Sequence, residues 1–393
     1  MSADRTYPGR LVGAFAIGAT LLLTGEAALV LLVQLYLNGL GASPLIISLS
    51  GSLAWVGTLV ASPLWGTLSD RTSPRRLLGV VLIGSAIATS SLGLLLVAPL
   101  VLALGTVRRL LGNGLAPIGM KLISSASPAA SRGRNLSYLS AARAAGFVFG
   151  GILGGIVLER AGFRGSFLLV ALLPLAAIPM LRWIPPRPAS TSGRPPRWAA
   201  LRMLRGSPLG LVYAGVTLRQ LATTGVGALA FVYMSEYTIS AETMGWISAI
   251  NPAVAVASSL LFGQLVDRID RRIAILFGFA VVVLYPLGYA FASGSGGFAF
   301  AAVPLGLSFG SYYAGTTAAI ASIVPQEHQG AMFGLLDSSR GLGGLAGPVL
   351  AGALVTAFGY RTMFVAMAGI SAVALLLVLA TVRSLRSPSR STS

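Results

Sequence analysis

Long apolar stretches separated by short polar segments dominate the pattern of this 393-residue chain. A helix that crosses a bilayer needs about 20 mostly apolar residues. Twelve stretches meet this requirement and are numbered here as spans 1 to 12: residues 11–37, 45–68, 76–98, 99–122, 135–158, 163–183, 207–235, 243–266, 273–293, 297–321, 331–356 and 360–382. The pattern predicts an all-α membrane protein with twelve transmembrane helices.

The composition supports a chain embedded in lipid. Hydrophobic residues make up 55% and charged residues only 10%, whereas soluble domains carry about a quarter charged residues. The chain has no cysteine and a single histidine, His328, so neither thiolates nor paired histidines could hold a metal. It also lacks a Walker-type phosphate loop. The sequence therefore predicts a protein that is not an enzyme and binds no cofactor or metal.

The net charge of +18 is concentrated in alternate loops. If both termini are cytoplasmic, the cytoplasmic tails and loops hold most of the basic residues, among them Arg71, Arg75, Arg76, Arg132, Arg134, Arg187, Arg194, Arg197, Arg268, Arg271, Arg272, Arg383, Arg386 and Arg390. This positive-inside bias predicts a multi-pass protein of the plasma membrane with both termini in the cytoplasm. Charge spread over loops on one side argues against nucleic acid as a partner and favours membrane lipids.

The longest hydrophilic stretch divides the chain into halves. Residues 184–206 are rich in proline and arginine, which is typical of a linker. We expect a six-helix bundle at 1–183, a cytoplasmic linker at 184–206 that lies near anionic head groups, and a second bundle with a basic tail at 207–393.

The two halves repeat at a constant shift of 197 residues. Residues 66–71 match 263–268, and the shift also matches Gly133 with Gly330, Arg143 with Arg340, Gly150 with Gly347, Gly155 with Gly352, Gly162 with Gly359 and Phe167 with Phe364. An ungapped match that extends from residue 66 to residue 167 of the first half indicates duplication. It predicts two parallel six-helix bundles related by a pseudo-twofold axis along the membrane normal.

One loop resembles the signature of the major facilitator superfamily. It comprises Gly66, Asp70, Arg71, Arg75 and Arg76, and its weaker copy between spans 8 and 9 comprises Gly263, Asp267, Arg268 and Arg272. The resemblance implies transport by alternating access, with this loop as a latch of the outward-open state. The glycine would let helix ends approach, and Asp70 would accept from amides at a helix N-terminus. The alternative is a basic turn without a gating role.

Two further motifs resemble exporters of this superfamily. Arg108 and Gly112 on span 4 are similar to a second family motif, in which Leu111 replaces the usual glutamine. The glycines of residues 146–155 resemble the glycine-rich exporter motif without its prolines, and Arg143 with residues 338–341 resembles sugar-efflux members. The resemblance implies the branch of drug or sugar:proton antiporters.

Seven charged residues lie well inside the spans. An ionisable residue at that depth is a functional candidate. They are Glu26, Arg108, Arg109, Arg143, Arg219, Asp337 and Arg340. At about 1.5 Å per residue, Glu26 lies about 15 Å and Arg108 roughly 14 Å from the outer ends of their spans. We therefore expect Glu26 to pair with Arg108 or Arg109, at similar depth.

Neighbouring positions on a helix point about 100° apart, which bears on this pairing. The resemblance implies a central cavity surrounded by spans 1, 4, 7 and 10. We expect only one of the two arginines to face this cavity directly, and the motif favours Arg108. Asn113, four residues after Arg109, would form a polar face with the other arginine.

Spans 7 and 11 offer further candidates. On span 7, Tyr213, Thr217, Gln220 and Thr224 share one face. This stripe fits a wet cavity wall or, equally well, hydroxyl groups that bond to their own helix. On span 11, Asp337 and Arg340 are three residues apart and can form a local ion pair or contribute to a substrate site.

These features favour a monomeric, proton-driven exporter of small organic molecules, either drug-like compounds or sugars. Glu26 would carry the proton, because a buried carboxyl group must be protonated or paired. One alternative is an organic-anion carrier, since five buried arginines face two acids. A further alternative is a non-transporting receptor or lipid-handling protein on the same fold.

Overall fold

A computed structural model describes residues 7–127, 129–184, 208–266, 268 and 270–382. These residues are almost entirely helical. The α-helices are α1 Tyr7–Gly39, α2 Pro44–Arg71, α3 Pro74–Leu92, α4 Ala98–Gly112, α5 Leu115–Ala126, α6 Ala129–Ala176, α7 Pro208–Gly227, α8 Ala230–Glu236, α9 Ala241–Leu265, α10 Arg271–Val281, α11 Leu284–Phe291, α12 Gly294–Ile323 and α13 Gln326–Val382, with a 3-10 helix at Ile178–Trp183.

The helices correspond to the twelve predicted spans, although some spans are broken and others are joined. Helices α4 and α5 form span 4, interrupted at residues 113–114, and spans 7 and 9 are likewise broken, into α7 with α8 and α10 with α11. Helices α6 and α13 each contain two spans. Taken singly, seven stretches of the described helices are long and apolar enough to cross a membrane, and two of these seven are the double spans. The chain is thus an all-α membrane protein.

A single glycine divides each double span. Gly162 has φ 64° and ψ −177°, and Gly359 has φ 80° and ψ 170°. Essentially only glycine adopts this backbone conformation. The two glycines are 197 residues apart, so the break recurs at the shift that relates the halves.

Contacts with α1 show that the chain reverses at Gly162. Before it, successive glycines of α6 lie against successively later turns of α1: an added Cβ would be 2.8 Å from the Thr20 oxygen at Gly146 and 2.9 Å from Ala28 Cα at Gly154. After it the order is inverted. Phe163 and Phe167 pack on Tyr36 near the end of α1, and Met180 lies against Gly18. The two segments of α6 are therefore antiparallel.

The second half repeats these contacts. On α13, Gly343 and Gly347 lie against α7, where an added Cβ would be 2.8 Å from the Leu221 nitrogen and 2.6 Å from Thr224 Oγ1. Beyond Gly359, Tyr360 and Phe364 pack on Tyr233, as Phe163 and Phe167 do on Tyr36. The glycines let two helix backbones touch.

The described residues form two compact units. One comprises Met1–Ser192 with Met234–Pro252, and the other comprises Gly193–Tyr233 with Ala253–Ser393. Each has its own hydrophobic core. Residues 234–252 group with the first unit because Gly245 on α9 packs against Gly155, where an added Cβ would lie 3.0 Å from the Gly245 Cα. The predicted division at 1–183, 184–206 and 207–393 stays a prediction, because residues 185–207 lie outside the described ranges.

Replacing Gly162 or Gly359 by alanine should lower stability by about 1–3 kcal/mol, the usual cost of a strained backbone conformation. An added Cβ meets nothing within 4 Å at either position, so the loss would come from the backbone alone. The measurement is the thermal unfolding midpoint of the purified protein in detergent. Gly369→Ala is the matched control, since Gly369 lies inside a helix in equally open space. An equal midpoint in all three variants would contradict the expectation.

Candidate functional site

One buried carboxylate and two arginines form an ion cluster in the first unit. Arg108 donates from Nη1 to Glu26 Oε1 at 2.5 Å and from Nη2 to Oε2 at 2.9 Å, and Arg109 donates from Nη1 to Oε2 at 2.7 Å. Glu26 is 4% exposed and Arg108 5% exposed. The bidentate contact is the stronger form of an arginine–carboxylate pair. The predicted pairing of α1 with α4 is present.

Both arginines contact Glu26, whereas a pair with one of them was predicted. That only one arginine faces the central cavity stays a prediction. Arg108 and Arg109 leave α4 in different directions, yet both side chains reach the same carboxylate. An arginine side chain is long enough to cancel a rotation of about 100° at its Cα. The cluster therefore contains two positive charges and one negative charge.

Because Gly112 has no side chain, the Glu26 carboxylate can lie directly beside it. An added Cβ at Gly112 would contact Glu26 Oε1 and would be 3.3 Å from Glu26 Cδ. The position is the glycine of the Arg108-x-x-x-Gly112 motif, which gives that motif a steric explanation at this site. The hydroxyl of Ser85 lies 3.9 Å from the same point and, within the described part of the chain, has no hydrogen-bond partner.

Side-chain hydrogen bonds join α2 to the end of α4, next to the two arginines. Asn113 donates to Thr58 Oγ1 at 3.0 Å and to the Arg109 carbonyl oxygen at 2.9 Å. Trp65 Nε1 donates to the Leu110 carbonyl oxygen at 2.7 Å. Asn113 thus belongs to the support of the cluster, as the polar face predicted beside Arg109. The sequence analysis missed Trp65 and Thr58, although a buried indole N–H requires a partner.

A cavity of about 70 Å³ lies beside the cluster in the first unit, between α1, α2 and α4. It is lined by Leu29, Val30, Val33, Gln34, Ser50, Gly51, Ala54, Val101, Leu102, Gly105, Thr106, Arg108 and Arg109. Sites for drug-sized ligands occupy about 300–1,000 Å³. This cavity has room for a few water molecules and is too small for such a ligand.

The second unit contains a different cluster of charges. Arg219 on α7 is 2% exposed and donates from Nε and Nη2 to Ser308 Oγ at 3.0 and 2.8 Å. Its guanidinium carbon lies 4.1 Å from the centre of the Tyr312 ring. Arg340 and Asp337 form the predicted local ion pair, with Nη1 and Oδ1 3.3 Å apart. Ser308 and Tyr312 were missed, because hydroxyl and aromatic residues are common in membrane helices.

The polar stripe on span 7 faces a neighbouring helix. Thr217 donates to the Tyr213 carbonyl oxygen at 3.0 Å, and Thr224 donates to that of Gln220 at 2.7 Å. Tyr213 donates to the Met332 carbonyl oxygen of α13 at 3.1 Å. Of the two interpretations of the stripe, the structure favours hydroxyl groups that bond to their own helix on a packing face. Arg143, also a candidate, lies half-buried on α6.

The signature loop is described only in part. Arg71, Arg75, Arg76 and Arg268 are exposed, whereas Asp267, the burial of Gly66 and the side chain of Asp70 lie outside what the structure describes. At Gly263 an added Cβ would meet nothing within 4 Å, so this glycine is not a point of close helix approach. The role of a latch stays a prediction.

Another acid, Asp270, caps a helix in the repeated loop. It accepts from the Arg272 amide at 3.0 Å and forms the N-cap of α10. The sequence analysis missed it, although an aspartate immediately before an apolar helix is a typical N-cap signal. In the first half of the chain, Lys121 Nζ lies 3.5 Å from the Ser69 carbonyl oxygen, which places α5 against the end of α2.

Comparisons with known proteins agree with this architecture. The sequence matches the Major Facilitator Superfamily twice, over residues 15–234 and 212–393. It is 24% identical over 369 residues to the multidrug resistance protein MdtG of Citrobacter koseri, covering 91% of this chain and 90% of the relative. It is 26% identical over 371 residues to MdtG of Dickeya zeae, with coverage of 91% and 90%.

Solved structures share the fold at lower sequence identity. A bacterial homologue of the human lysosomal transporter Spinster aligns with a TM-score of 0.82 at 16% identity, over 98% of this chain and 100% of that one. The nucleoside transporter NupG aligns with a TM-score of 0.78 at 13% identity, over 94% and 98%. The family match covers both halves, as the internal repeat requires. The chain therefore belongs to the Major Facilitator Superfamily and is a multi-pass membrane transporter.

Proposed function

We propose that this protein exports small organic molecules from the cell by alternating access, in exchange for protons that Glu26 carries. The observation that carries the proposal is the contact of one buried carboxylate with two arginines. The relatives named for multidrug resistance support export of drug-like compounds, and the resemblance to sugar-efflux members keeps sugars as a second class. Both termini lie in the cytoplasm under this proposal, and the monomer is the working unit.

Coupling follows from the charges of the cluster. A buried carboxylate is costly unless it is protonated or paired, and here two guanidinium groups pair with it. When a proton neutralises Glu26, both arginines lose their counter-ion within the cluster. Water or a polar group of a substrate then has to satisfy them. Proton binding and substrate binding therefore affect the same two arginines, which links the two fluxes.

Exchange is tested with protein reconstituted in liposomes that contain a pH-sensitive dye. The substrates tried are ethidium, isopropyl thiogalactoside and 2-naphthoate, which represent a drug-like cation, a sugar and an organic anion. We expect at least one of them to accumulate against its gradient when a pH gradient is imposed, with proton movement in the opposite direction. A protonophore should abolish the accumulation. Flux that persists unchanged after the pH gradient collapses would refute proton coupling, and absence of flux for all three would favour a receptor.

A further inference from the structure

Arg219 is a buried cation with no anion nearby in the part of the chain that the structure describes. Its described partners are the Ser308 hydroxyl and the face of the Tyr312 ring, and Ser308 in turn donates to the Gly278 carbonyl oxygen at 2.6 Å. Among the described residues, no carboxylate lies within ion-pair distance of Arg219. A neutral hydroxyl and a ring compensate a buried charge less well than an anion does. The region around Arg219 therefore carries a net positive charge.

Arg340 lies beside two further aromatic rings, which both contact Tyr312. Its guanidinium carbon lies 5.5 Å from the centre of the Phe309 ring and 6.0 Å from that of Tyr313. These two rings are stacked with centroids 5.6 Å apart, and Tyr312 lies edge-on to both. The side chain of Arg340 is 23% exposed.

The pairing of Arg340 with Asp337 is weak. It consists of one contact at 3.3 Å, and the aspartate side chain is 69% exposed. Arg340 Nε is buried and has no hydrogen-bond partner within the described ranges. An exposed, single-contact ion pair contributes little, so another carboxylate can replace Asp337 at little cost.

The cluster also holds unused hydrogen-bonding groups and an excess of charge. The hydroxyl groups of Tyr312 and Thr316, one turn apart on α12, are buried without a partner in the described part of the chain. Counted over the described residues, Arg219 and Arg340 against Asp337 leave one positive charge without a counter-ion. A single negative charge on a ligand would balance it.

We propose that this cluster binds the carboxylate of an aromatic organic anion. The carboxylate pairs with the guanidinium of Arg340, whose planar fork matches two oxygens, and displaces Asp337. The aromatic part of the ligand lies against the exposed ring of Tyr313. Arg219, behind Tyr312, supplies the positive potential. The inference rests on the proposed export function and names a substrate class for it.

Binding to the purified full-length protein tests the proposal. The probe is 2-naphthoate, compared with its neutral isostere 2-naphthamide by isothermal titration calorimetry. We expect naphthoate to bind at least about tenfold more tightly, since a charge-assisted pair is worth at least that factor. Equal affinity for the two compounds, or no binding of naphthoate at millimolar concentration, would overturn the proposal.

Variants separate recognition from a structural role. Arg340→Gln should weaken naphthoate binding by about tenfold or more and leave naphthamide binding unchanged. Asp337→Asn should strengthen naphthoate binding, because the competing carboxylate is removed, and a merely structural ion pair would not produce this gain. Arg361→Gln is the matched control, since Arg361 also lies over a ring, at 5.0 Å from Phe291, but outside the cluster. Loss of binding in the Arg361 variant, or weaker binding in the Asp337 variant, would contradict the assignment.

The outcome is independent of proton coupling. If naphthoate fails to bind while ethidium or the sugar still exchanges with protons, the anion site is refuted and the exporter stands. If naphthoate binds as expected but no substrate accumulates under a pH gradient, the exporter is refuted and the site stands.

Discussion

Glu26→Gln is expected to abolish accumulation of substrate under an imposed pH gradient while leaving substrate binding measurable. Glutamine keeps the shape of the side chain and its oxygen still accepts from Arg108, but it cannot exchange a proton. The cluster is then fixed in the form that mimics protonated Glu26. Liposomes containing the variant should reach only the substrate level attained without a gradient. Flux and dye signal are recorded together, on protein whose thermal unfolding midpoint has been checked.

Glu236→Gln is the matched control for this substitution. Glu236 is exposed at the end of α8 and has no part in the ion cluster, so its variant should accumulate substrate like the native protein. If Glu26→Gln still concentrates substrate against its gradient, Glu26 is not the proton carrier. Asp337 would then be the next acid to test, because it lies inside span 11 beside Arg340.

Gly112→Ala should reduce transport at least about tenfold, because the added methyl group occupies the space of the Glu26 carboxylate. Overpacking of this kind costs about 1–3 kcal/mol, and the shift needed falls on the atoms that hold the ion cluster together. Alanine itself favours helix over glycine, so a loss of stability cannot be assigned to helix propensity. Initial transport rate and thermal midpoint are measured together.

Two comparisons make this prediction specific. Gly13→Ala, on the same helix as Glu26, adds a methyl group where nothing lies within 4 Å, and should leave the transport rate unchanged without lowering the midpoint. Adding Glu26→Asp to Gly112→Ala withdraws the carboxylate by one methylene and should recover part of the lost stability. A Gly112 variant with native transport would show that the close contact has no functional role.

The fold was predictable to the extent that it depends on chain length and repetition. The spans follow from apolar runs long enough to cross a bilayer. The duplication can be recognised from identical residues at a fixed shift. The breaks were not predicted, although the local sequence marks one of them: α4 ends at Gly112, and the run Gly112-Asn113-Gly114 is a typical helix-stop signal. The apolar residues on both sides of this run together have the length of one bilayer span, which is why span 4 was predicted as continuous.

The candidate site was predictable in depth but not in detail. Counting residues along two helices placed Glu26 and the arginines at one level, and the pair is present. The direction of a Cα–Cβ bond does not limit a side chain as long as that of arginine, so both arginines reach Glu26, whereas a pair with one of them was predicted. The polar stripe on span 7 was ambiguous, because the same spacing serves a cavity wall and a packing face.

The reversal at Gly162 has a consequence for biosynthesis. The two segments of α6 span 48 residues, which a ribosome synthesises in roughly 2–10 s at ordinary rates of elongation. Because one residue separates them, the first segment cannot place its end outside the bilayer before the second begins to enter. We expect the segments to insert together as a hairpin whose tip carries Glu159, Arg160 and Arg164 across the lipid. The corresponding tip at Gly359 carries only Arg361, so the later hairpin meets the smaller electrostatic barrier during insertion.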